Sequence, residues 1–186
     1  MGNVYSEMVP FWAEVCYEEL RRDLLYDKIP VYVRESICRR AWATGILAAS
    51  RQADRGQMEE IHRLIEKQNL QIEQAETDQV VGGMRFFGEY VEKQKKIILY
   101  SPSVCRFAQD RSIPCALAEE LILAHEFYHF LEHACLGRTS EQYTVPSLQW
   151  GRLSVGKNGI RALSEIGAYG FSYMYWKLRY GVDEKE

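Results

Sequence analysis

The chain has 186 residues, enough for one ordinary domain with a real core, and at 47% hydrophobic and 26% charged it is neither disordered nor fibrous. A formal net charge of −3 gives no electrostatic footprint for nucleic acid, so Arg21-Arg22 and Arg39-Arg40 read as solvated helix faces. The five cysteines (Cys16, Cys38, Cys105, Cys115, Cys135) are odd in number, scattered and without a C-x-x-C pair, which argues against a disulfide framework or a cysteine zinc finger and fits a reducing cytoplasm.

Residues 4 to about 68 read as helices. Apolar positions recur at spacings of three and four through Phe11, Val15, Leu20 and Leu24, then through Val33, Ile37, Ala41 and Ile46. Pro30 and Gly56 fall between the stretches as breakers. A third amphipathic stretch starts at Met58 and ends near Asn69. No secretory leader is expected, and the apolar run Ala41 to Ala49 is too short to span a bilayer. Met1 to Ser6 matches the short myristoylation pattern, but the expectation is a soluble cytoplasmic protein.

Gln71 to Glu76 is a candidate short strand. Met84 to Tyr90 and Lys95 to Tyr100 read as a hairpin joined by the polar Glu92-Lys93-Gln94, with Ser101-Pro102 closing it. After Pro114 a helical pattern runs to about Cys135 and stops at Gly137. A polar loop with Pro146 and Gly151 is expected next, then a last helix from roughly Ile160 to Tyr180 that ends at Gly181. The order of helices, a small antiparallel sheet and two helices gives an α+β fold class. The division expected is an N-terminal helical extension over 1–57 and the main domain over 58–182.

The chemistry lies in His125-Glu126-Phe127-Tyr128-His129. On a helix the two histidines project from one face about 6 Å apart along the axis, so both imidazoles can reach one metal ion. Zinc accepts imidazole nitrogens at about 2.0–2.1 Å in tetrahedral geometry. Glu126 is rotated about 100° from His125, beside the metal position rather than on it. There it can act as the general base on a water, the division of labour of H-E-x-x-H.

A catalytic zinc needs a third protein ligand and an open position. His133 continues the face but lies about 6 Å further along, which makes it a rim residue. Glu132 and Cys135 share that difficulty. Glu165 is the natural candidate, because it stands alone in an otherwise uncharged stretch from Ala162 to Trp176, where a bare carboxylate is costly without a partner. Gly167, Ala168 and Gly170 would let that helix approach the first closely.

These residues resemble the ImmA/IrrE family of zinc metallo-endopeptidases. Ile122 to His133 looks like the family's active helix, which often reads H-E-x-x-H-x-x-x-H. Glu165-x-x-Ala168-x-x-Phe171-Ser172 looks like its E-x-x-A-x-x-F-A segment, whose glutamate completes the zinc site. The hairpin into Lys96 to Tyr100 is similar to the strands before the family's active helix, and the resemblance covers roughly residues 58 to 175. This chain departs from the pattern at Phe127-Tyr128, where smaller residues are usual, and at Tyr173-Met174-Tyr175-Trp176, where Leu-Met-Pro is usual.

The resemblance implies a zincin-like minimal metallopeptidase domain that holds Zn2+ through His125, His129 and Glu165, with Glu126 catalytic. The partner it implies is a protein or peptide substrate, with a transcriptional repressor on a separate chain as candidate; no direct nucleic acid or membrane contact is expected. Tyr169, Tyr143 and His133 are the candidates for stabilising the oxyanion. Two other readings compete: a non-hydrolytic metal-binding sensor or adaptor, and a structural helical protein with a coincidental motif.

Overall fold

The computed structural model of the chain describes residues 12–150 and 153–181. The Met1 to Ser6 pattern, Phe11 and Gly151 lie outside them. Among the described residues, six α-helices and seven strands follow one another in blocks, an α+β arrangement. The helices α1 (Trp12–Arg22), α2 (Val31–Gln52) and α3 (Ile61–Lys67) come first. The strands β1 (Gln71–Ala75), β2 (Gln79–Val81), β3 (Met84–Phe86), β4 (Gly88–Val91) and β5 (Lys96–Tyr100) follow. Then come α4 (Ser101–Asp110), α5 (Cys115–Leu131), a hairpin of β6 (Thr144–Trp150) and β7 (Leu153–Gly159), and α6 (Ala162–Tyr180).

The expected hairpin forms only in part: β4 pairs antiparallel with β5, with Lys95 in the left-handed region at φ 47° in the turn, whereas Met84–Phe86 (β3) splits off at Phe87 and pairs antiparallel with β2 across Gly82-Gly83. The sheet is not wholly antiparallel, however. β1 pairs parallel with β5, from Gln71 opposite Lys96 to Ala75 opposite Tyr100, giving a mixed sheet of order β1-β5-β4. The uninterrupted apolar run Ile97-Ile98-Leu99-Tyr100 belongs in the centre of a sheet, where both faces are covered, and Ile97 and Leu99 are buried there. The alternating Gln71-Ile72-Glu73-Gln74 suits an edge, but its direction depends on the path of the chain, which no local pattern records.

Three further differences have local causes. Ser101-Pro102 opens α4 rather than closing the strand, since proline is tolerated in the first helical turn, where its missing N–H has no partner to lose. The expected polar loop is the β6–β7 hairpin, whose strand signal is weakened by Pro146, Gly156 and Gly159 and whose anchor in the core is the buried Val145. Leu24 lies past the end of α1, with 97% of its surface exposed, so it does not continue that helix's apolar face.

α6 is the organising element, because it belongs to both apolar cores. Ala168, Phe171, Tyr175 and Trp176 enter a core built with α3, β5, α4 and α5. Ala162, Leu163 and Ile166 enter a second core with α1 and α2, around Leu20, Ile37, Ala41 and Trp42. The helices α2 and α6 meet with almost no side chain between them. A Cβ on Gly45 would overlap the Gly167 carbonyl oxygen, and one on Gly170 would overlap the backbone of Trp42. Gly170 therefore serves the α2 contact, whereas Gly167 also gives room to the Tyr128 ring of α5, as expected of a small residue facing the H-E-x-x-H helix. Asp23, just past α1, accepts a hydrogen bond from the Ala162 N–H at the start of α6 (2.9 Å). Among the described residues, no helix is long and apolar enough to cross a membrane.

Candidate metal centre

His125 and His129 lie one turn apart on α5, with their rings 5.1 Å apart and edge to face. α6 brings Glu165 against both. One carboxylate oxygen lies 3.1 Å from His125 Nε2 and the other 3.6 Å from His129 Nε2. One donor atom from each of the three residues falls within 4.8 Å of the others, a group that could hold a metal ion. The sequence thus names all three members of the one such group found among the described residues. The Glu165 side chain keeps 41% of its surface exposed against 17% and 18% for the histidines.

The second nitrogen of His129 is fixed by Glu132, whose carboxylate lies 3.0 Å from Nδ1. That bond assigns the Nδ1 proton and turns Nε2 toward Glu165, the arrangement in which a carboxylate orients a metal-ligating imidazole. Glu132 is buried, and its other oxygen accepts from the Thr139 N–H (2.7 Å) and from the Ser164 hydroxyl (2.9 Å). It therefore ties α5 to α6 one residue before Glu165. From the sequence Glu132 is only a poorly placed ligand. The signal that identifies its part is spacing: an acid three residues after His129, following apolar Phe130 and Leu131, is a buried carboxylate on the histidine's own side. A single π turn, Glu132–Leu136, carries it, and such turns concentrate at functional sites.

The charges of the group are mutually adjusted. Burial disfavours the ionised form of Glu165, but the two histidines outweigh it and hold its carboxyl far below the ordinary range. Burial likewise works against protonated His129, yet Glu132 and Glu165 keep its pKa well above the usual histidine value. For Glu132, burial is overcome by His129 and Thr139, and its carboxyl is depressed. Glu126 moves the other way. Burial raises its pKa, the two histidines oppose this, Glu165 adds to it, and the Tyr90 N–H donates to its carboxylate.

That last bond joins Glu126 to β4, the edge of the mixed sheet. Among the described residues β4 pairs only with β5 within that sheet. Gly88 on β4 makes the approach of α5 possible. A Cβ there would lie 3.0 Å from an Ile122 methyl and 3.2 Å from Glu126 Cγ.

The remaining candidates separate clearly. The Tyr169 ring lies edge-on to His125 at 5.0 Å, and burial first, then Glu19 and Glu165, raises its hydroxyl pKa, so it stays protonated and able to donate. His133 turns away to Glu92, 3.2 Å from its carboxylate, beside the Tyr90 ring. Tyr143 packs against the second core. The unusual pair Phe127-Tyr128 is fully buried, the Tyr128 hydroxyl bonding Thr139 over Gly167, so the larger residues are accommodated by α6 rather than by the site. Searches against protein-family models, curated proteins and solved structures return no match.

Proposed function

We propose that the chain is a zinc-dependent metallo-endopeptidase with a zincin-like domain of the ImmA/IrrE type, acting on a separate protein such as a transcriptional repressor. The observation that carries this reading is the convergence of His125 Nε2, His129 Nε2 and a Glu165 carboxylate within 4.8 Å, with the Glu126 carboxylate bonded to the edge strand beside them. The donor set fits zinc: two imidazoles, which would give up their Nε2 protons to ligate and of which one is oriented through Nδ1, and one carboxylate leave a fourth position free. When bound, zinc supplies Lewis acidity that lowers the pKa of water toward about 7 and polarises a carbonyl.

The protein's own groups do the rest. Glu126, with its raised pKa, takes a proton from the attacking water and returns it to the leaving amine, since a base works best when its pKa nears the working pH. The substrate adds as an extended strand along β4, which presents its backbone to Glu126 in fixed register. Tyr169 donates its hydroxyl to the developing oxyanion.

Glu126→Gln tests the reading. The variant is expected to bind zinc as the wild type does, measured by elemental analysis after dialysis, and to lose cleavage of a co-expressed repressor by at least ~100-fold. A wild type that takes up no zinc would overturn the metal centre. A zinc-loaded wild type that cleaves no more than Glu126→Gln would leave a metal-binding protein without hydrolysis.

A further inference from the structure

Outside the metal centre, the most chemically suggestive pair of side chains is a pair of thiols. Cys105 lies in the middle of α4, and Cys115 is the first residue of α5. A short turn joins the helices, with Ser112 at φ 53° and Ile113 buried, and it folds α4 back so that the two sulfurs face each other at 3.6 Å. Both residues are exposed. The other cysteines differ in kind. Cys16 and Cys38 are sealed in the second core, and the Cys135 thiol turns to the Leu131 carbonyl oxygen.

Two thiols in contact at the surface need only a small motion to bond. A disulfide requires about 2.05 Å between sulfurs, so the pair must close by about 1.5 Å. Exposure supplies the other requirement, since exchange needs in-line access of a second sulfur compound. The shared hydrogen bond to Cys115 raises the pKa of the Cys105 thiol, with smaller contributions from the Cys115 charge and burial.

We propose that Cys105 and Cys115 form a reversible surface disulfide, a redox modification site that takes glutathione disulfide or a similar small disulfide as its oxidant. One of the two thiols, as its thiolate, attacks one sulfur of the oxidant, breaks its S–S bond and expels a glutathione thiolate, which takes up the proton that thiol released. The other cysteine loses its proton to water, attacks the protein sulfur of the mixed disulfide and expels the second glutathione as a thiolate, which takes up a proton in turn. Two protein thiols are oxidised and one glutathione disulfide is reduced to two thiols. The bond staples the middle of α4 to the first turn of α5, the helix that carries His125 and His129 further along. This inference does not depend on the metal reading.

The test equilibrates the full chain in glutathione buffers from reducing to oxidising, quenches with a maleimide, and reads intact mass and peptide maps. Two thiols are expected to disappear together with the loss of two hydrogens and no retained glutathione, the map joining Cys105 to Cys115. Cys105→Ser is expected to stop at one glutathione on Cys115. Cys16 and Cys38 should label only after denaturation. A wild type that keeps both surface thiols in fully oxidised glutathione, carries glutathione on each, or links Cys115 to Cys135 would overturn the proposal.

Discussion

Glu132 lies outside the group that could hold a metal, yet it contacts one of its histidines directly. By holding Nδ1 of His129 it keeps Nε2 directed at Glu165, and by accepting from Thr139 and Ser164 it ties the two helices that carry the ligands. Glu132→Gln keeps the volume and loses the charge, and is expected to weaken zinc affinity by about 10- to 100-fold, read by competition with a zinc-binding dye. Unchanged affinity would mean that α5 alone orients the imidazole. A second residue-scale prediction concerns acid. The Arg85 hydrogen bond, then that of Ser103, lowers the Asp78 carboxyl below its ordinary 3.8. A depressed folded pKa gives stability that is present above the unfolded value and lost as pH falls through the folded one. Wild type should therefore exceed Asp78→Asn in urea midpoint at neutral pH, and the gap should close well below pH 3.8. A gap that persists in acid would assign the effect to something other than charge.

At the scale of elements, the contact of α2 with α6 decides where Glu165 sits. Gly45 and Gly170 let the two backbones touch, and Gly167 takes the Tyr128 ring on the α5 side. Gly45→Ala puts a methyl group into the Gly167 carbonyl, where no side chain can rotate away. The expected cost is about 1–3 kcal/mol in chemical denaturation, together with weaker zinc binding as α6 shifts from α5. Full zinc affinity in a destabilised Gly45→Ala would show that α6 is located by α5 alone. The elements themselves were legible to very different degrees. α5 and α6 follow from long apolar patterns bounded by Pro114, Gly137 and Gly181, and the β4–β5 hairpin from its β-branched and aromatic run. The opening of α4 at Ser101-Pro102 and the β6–β7 hairpin were not legible, because prolines and glycines mark turns and element ends alike.

For the whole molecule, an ion bound as proposed would tie α5 to α6, the helix that enters both cores. Because the ligands come from α5 and α6, binding to the folded chain alone stabilises it by mass action. With free zinc at ~100 times the dissociation constant the gain is about 2.7 kcal/mol, a rise in Tm of roughly 5–10 °C for a chain of this size. Chelator should remove that rise in wild type and have no effect in His129→Ala. A melting temperature indifferent to zinc and chelator would argue against a site in the folded state.

The sequence by itself determined the members of the group that could hold a metal: two histidines at helical spacing and a lone acid in an uncharged stretch of a later helix. These are local properties, set by 3.6 residues per turn and by the cost of burying an unpaired carboxylate. Only the tertiary structure decided the rest. It paired β1 parallel to β5, turned Glu132 onto His129, seated Gly88 beneath Glu126, and brought Cys105 and Cys115 into contact. Each of those depends on how distant segments meet or on how one helix turns into the next, and no periodicity along the chain records such a meeting.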